Sequence, residues 1–107
     1  MPAAFSTGVD EEKDLLVARG CTIRCVHFVN ADAGIRYVQL FDAGDIDDVT
    51  LGTTTPDYVI PMGSSATGTV PLAQGLVFTS GCVACATTTA TGSTPVTADA
   101  FVSVVFD

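Results

Sequence analysis

CTIRCVHFVNADAGIRYVQLF, residues 21–41, is the stretch on which the fold turns. It divides into two runs, 21–29 (CTIRCVHFV) and 35–41 (IRYVQLF), separated by Asn30-Ala31-Asp32-Ala33-Gly34. β-Branched and aromatic residues fit a pleated, half-buried surface, whereas Asn, Asp and Gly accept the backbone angles of turns. The two runs therefore read as strands joined by a turn.

The same alternation of apolar runs and turn signals continues on either side. Leu15-Leu16-Val17 begins the folded body, ahead of Gly20. Further strands are expected at 57–61 (DYVIP), 68–72, 76–79, 82–89 and 100–106. Pro56 and Pro61 flank the first of these and suit an edge position, where a missing N–H removes no ladder bond. The connection over 42–52, DAGDIDDVTLG, is acidic and turn-prone. Val26-His27-Phe28-Val29 and Val104-Val105-Phe106 do not alternate cleanly, as expected of strands with one face in the core and the other against a second layer or subunit. No window after Gly20 has helical period. About eight short strands predict an all-β, antiparallel sandwich, residues 15–107, with jelly-roll-like connections. Barrel closure is the competing arrangement, and residues 1–14 read as a short, acidic N-terminal arm.

A chain of 107 residues and 11.0 kDa makes one domain. A domain of this size buries roughly 65% of its unfolded surface. Mean hydropathy of +0.47 with only 15% charged residues leaves an apolar excess beyond one small core, which predicts a subunit interface.

The net charge is −8, and it is unevenly spread. Residues 1–36 hold all four basic side chains, Lys13, Arg19, Arg24 and Arg36, against five acids; the remainder holds seven acids and no Lys, Arg or His. Residues 58–98 carry no charge at all. Such a chain repels phosphate backbones and anionic headgroups, so neither nucleic acid nor membrane is an expected partner. From Tyr37 onward it contains almost none of the side chains that shuttle protons or clamp phosphates, and no enzymatic activity is expected. Asp10, Glu11, Glu12 and Asp14 stand where a signal peptide needs basic and then apolar residues. Glycines and prolines interrupt every apolar stretch that could span a bilayer. Assembly in a cytoplasm, with reduced thiols, is the expectation.

The one constellation with chemical potential is Cys21-x3-Cys25 with Cys82-x2-Cys85. Two such pairs could hold zinc through four thiolates. Cys21 and Cys25, however, lie on one strand, where an even spacing places them on one face about 13 Å apart. Reduced core cysteines, a disulfide and a metal site stay open, with core packing favoured by the apolar neighbours. His27 is the single histidine. It shares a face with Cys25 at i, i+2, a geometry open to a nucleophile–base pair, although no oxyanion motif accompanies it. Asp45, Asp47 and Asp48 resemble the start of a calcium loop but lack the turn glycine and the closing glutamate. Tyr37 and Tyr58, without any tryptophan, offer a poor platform for stacking on sugars. No catalytic, cofactor-binding or metal-binding residue is assigned, and no cofactor is expected.

The order of these elements resembles small β-sandwich structural proteins of tailed bacteriophage virions. The residues that carry the resemblance run from Gly20 through CTIRCVHFVNADAGIRYVQLFDA to Gly44, then PDYVIPMG, VPLAQGLVFTSGCVACATTTATGS and DAFVSVVF. The resemblance implies a capsid decoration, or cement, protein on the virion surface, a homotrimer clamping neighbouring copies of the major capsid protein. A head-fibre or tail-tip module that binds a receptor or glycan is the alternative it leaves. It transfers no site residues, because the shared pattern concerns folding.

Overall fold

The computed structural model describes residues 3–6, 13–31, 33–92 and 100–107. Among these, eight strands make two four-stranded antiparallel sheets. In chain order they are β1 (Ala3–Ser6), β2 (Asp14–Val17), β3 (Cys21–Asn30), β4 (Arg36–Phe41), β5 (Tyr58–Met62), β6 (Thr67–Phe78), β7 (Cys82–Thr87) and β8 (Ala100–Phe106). Sheet A has the order β1-β8-β3-β6 and sheet B the order β2-β7-β4-β5. The expected all-β antiparallel sandwich is the architecture observed.

The pairing is nested: β1 with β8, β2 with β7, β3 with β6 and β4 with β5. Ladders between β3 and β8 and between β4 and β7 complete the sheets. Only the step from β4 to β5 stays within a sheet; every other connection crosses between them. Proline marks the edges. Pro61 lies in β5 and Pro71 in β6, each at the rim of its sheet, where one side of the backbone needs no partner.

Two departures from the sequence expectation matter. The stretch expected to be an arm contains β1, which pairs with β8 from Ala3↔Val105 to Ser6↔Val102. The separate strands expected at 68–72 and 76–79 are one strand, β6, interrupted by a bulge. Along this pair β3 advances only from Ile23 to Cys25 while β6 runs from Leu76 to Pro71. Gly75, at φ 76°, supplies the left-handed turn that the excursion needs. Against β8 the extra residue belongs to β3 instead, since Ile23 faces Phe106 and Cys25 faces Val105.

The core lies between the sheets. Sheet A contributes Cys21, Ile23, Val26, Val102, Val104 and Phe106; sheet B contributes Val38, Leu40, Ile60, Met62, Ala84 and Ala86. A smaller cluster of Phe41, Ala43, Val49 and Val83, with Leu51 against it, covers the other face of sheet B. The acidic connection after β4 thus folds back over β7 and buries it on both faces. Nothing described covers the corresponding outer face of sheet A.

Candidate functional site

The uncovered face of sheet A is assembled row by row across β6, β3 and β8. Thr67, Val29 and Phe101 make one row, Thr69, His27 and Ser103 the next, and Pro71, Cys25 and Val105 the third. None of these side chains carries a fixed charge. The bulge at Arg24 selects them. Before it, Cys21 and Ile23 point inward; after it, Val26 and Asn30 do, so Cys25, His27 and Val29 point out. The expectation that Cys21 and Cys25 share a face is therefore corrected, because the added residue reverses the alternation between them.

Cys25 and His27 do come together. The Cys25 Sγ lies 3.8 Å from His27 Nε2, and His27 Nδ1 is 2.8 Å from the Thr69 hydroxyl oxygen on β6. A thiol, an imidazole and a hydroxyl that holds the ring thus stand in line on an open surface.

The other cysteines lie elsewhere. Cys21 and Cys82 face the core from opposite sheets, and Cys85 is buried on the far side of β7. The four do not converge, and among the described residues no group of three or more His, Cys, Asp or Glu is placed to hold a metal ion. Burial pushes the Cys82 thiol up to about 12, with Cys21 and Asp42 adding to the shift. Burial likewise raises Cys21; Arg19 opposes this and Asp42 reinforces it. Neither buried thiol ionises readily.

Asp42 has a structural task that no motif announced. Its carboxylate accepts bonds from the Thr79 backbone N–H at 2.9 Å, the Thr79 hydroxyl at 3.1 Å and the Ser80 N–H at 2.8 Å. Desolvation pushes its pKa up, but these bonds and one from the Gly81 backbone outweigh it and hold the carboxyl below its ordinary value. The β6–β7 corner is thereby tied to the end of β4. Asn30, also unforeseen, is buried and donates to the Gly34 and Gly63 carbonyls at 3.0 and 2.9 Å, joining two loops at the opposite end.

The acidic trio is local in its bonding. Asp45 caps the 3-10 turn Ile46–Asp48 by accepting from the Asp47 N–H at 3.0 Å, and all three aspartates are exposed. Tyr58 packs against the main core, whereas Tyr37 neighbours buried Val38 on β4 and is only partly exposed, so the two form no stacking platform. All four basic side chains have partners within the chain. Arg24 pairs with Asp107 at 2.8 Å, Arg19 lies 5.2 Å from the Phe106 ring centre, Lys13 donates to the Val49 carbonyl and Arg36 to that of Ile35.

What the sequence concealed has a common origin. The bulge, the Asp42 clasp and the Asn30 bridge each depend on a segment distant in the chain, and only the glycine at 75 hinted at the first. No family model, curated protein or solved structure matches this chain.

Proposed function

We propose that the protein is a non-enzymatic structural subunit of a tailed-phage virion, a capsid decoration protein that assembles as a homotrimer on the major capsid protein. The observation that carries this reading is the asymmetry of the sandwich. Among the described residues, a loop covers the outer face of sheet B, whereas three rows of uncharged side chains on sheet A have nothing over them and end beside the Arg24–Asp107 pair. At one end of the molecule Val29 and Ile35 remain 38% and 56% exposed. Apolar surface of this kind, beside strands already satisfied in their hydrogen bonds, suits contact with further copies or a larger shell.

The nested strand order is read as jelly-roll connectivity, an architecture used by many capsid proteins. The charge pattern agrees, since the basic groups are engaged internally and the surplus is negative, which disfavours adhesion to free nucleic acid. Decoration acts through mass action. A subunit that binds the assembled shell and not the dissociated one adds its binding free energy to shell stability.

Sedimentation of the purified chain and its addition to undecorated particles test the proposal. A trimer that binds particles in regular, high copy number is the expected result. A monomer that ignores every assembled shell refutes it, and a copy number of only a handful favours a fibre or tail-tip position.

A further inference from the structure

Of the four cysteines, Cys25 alone is not buried. It is also the one with an imidazole beside it, 3.8 Å from Sγ to Nε2. The ring is not free to turn away, because Nδ1 is held at 2.8 Å by the Thr69 hydroxyl. A hydroxyl both accepts and donates, so the hydrogen positions are an assignment: with the ring proton on Nδ1 and given to Thr69, Nε2 keeps its lone pair toward the thiol. Nucleophile, base and orienting group then follow one another across β3 and β6, which is the arrangement that activates a thiol. The cross-strand neighbours Pro71, Val105 and Ser103 are uncharged, and Arg24, next to Cys25 on β3, is paired with Asp107 at 2.8 Å.

We propose that Cys25 is a modification site, a thiol that exchanges with small, neutral disulfides and leaves the protein carrying a mixed disulfide. His27 Nε2 takes the proton from Sγ as the sulfur attacks one sulfur of the reagent. The reagent S–S bond breaks as the new Cys25 S–S bond forms. The departing half leaves as a thiolate and recovers the proton from the imidazolium. One disulfide is consumed and one is made, so no outside oxidant is needed. Cys21, Cys82 and Cys85 stay out of reach in the native state, being buried and, for Cys21 and Cys82, reluctant to ionise. The site lies on the same face of sheet A that the assembly reading covers, so the exchange belongs to the dissociated subunit and is read in dilute protein.

The test uses 4,4′-dithiodipyridine, a neutral disulfide whose released thione absorbs light, on the intact protein at neutral pH. Native protein is expected to release one equivalent quickly and the other three only on unfolding. Peptide mapping should place the adduct on Cys25, and Cys25→Ser should abolish the fast phase. His27→Gln should slow that phase roughly tenfold or more with an unchanged circular-dichroism spectrum and melting temperature. Thr69→Val should slow it less, and Thr69→Ser should restore it. The proposal is overturned if the fast equivalent maps elsewhere, if native protein releases none, or if folded His27→Gln reacts at the wild-type rate.

Discussion

Asp42 and Cys82 sit close together and give the protein opposite sensitivities to pH. The Asp42 pKa is held below its ordinary value, so its contribution to stability is full above about pH 4 and is lost as pH falls through the lowered pKa. Asp42→Asn keeps the shape and removes the charge. In urea titrations it should cost about 1–2 kcal/mol at pH 7, the solvent-facing carboxylate being worth less than a buried one, and the gap should narrow as pH falls through the lowered pKa. A difference that persists undiminished in acid would argue against the charged clasp. Cys82 works in the other direction. Its thiol is raised from 9.0 to about 12, so the folded state keeps a proton that the unfolded chain releases. Stability is full below pH 9 and falls by up to about 4 kcal/mol by pH 12. In Cys82→Ala the alkaline decline should be visibly shallower, measured by the same titrations between pH 8 and 11.

Among the elements, two glycines, one in the β6 bulge and one at the β6–β7 corner, separate two kinds of constraint. Gly75 adopts φ 76°, and a Cβ there would meet the Thr22 methyl at 2.5 Å and the Arg24 guanidinium at 3.0 Å, both ends of mobile side chains. Gly81 is enclosed by backbone: a Cβ there would lie 2.6 Å from the Ala43 carbonyl oxygen and closer still to that of Val17. Side chains can swing aside and backbone carbonyls cannot. Gly75→Ala should therefore cost about 1–2 kcal/mol and Gly81→Ala about 3 kcal/mol or more. Thermal unfolding of the pair checks the order, and equal losses would contradict it. The strands β3 and β4 were legible from β-branched and aromatic content alone, and Pro61 and Pro71 lie on edge strands for the reason proline allows. The fusion of 68–72 and 76–79 into β6 was hidden because a glycine in an apolar run signals a turn as readily as a bulge.

For the molecule as a whole, the open face of sheet A is where association should be felt. Val29→Lys introduces a charge on that face while leaving the inward positions of β3 untouched. Sedimentation equilibrium should show association weakened at least tenfold, with the melting temperature of the dissociated subunit little changed. An unaltered oligomer would place the contact elsewhere. The apolar excess was visible in the composition, but not where in the fold it falls. Part of that excess turned inward, since the connection after β4 uses Val49 and Leu51 to cover β7.

Strand content, edge positions and the one-sided charge follow from residue type, because β-branching, a missing N–H and formal charge are local properties that no partner can alter. The facing of Cys25 and His27 does not. Strict alternation from Cys21 would have put both in the core; the bulge put them in solvent, with Thr69 beside them. A bulge belongs to a pair of strands rather than to either one, so the register that exposes this thiol existed only once β3 had met β6 and β8.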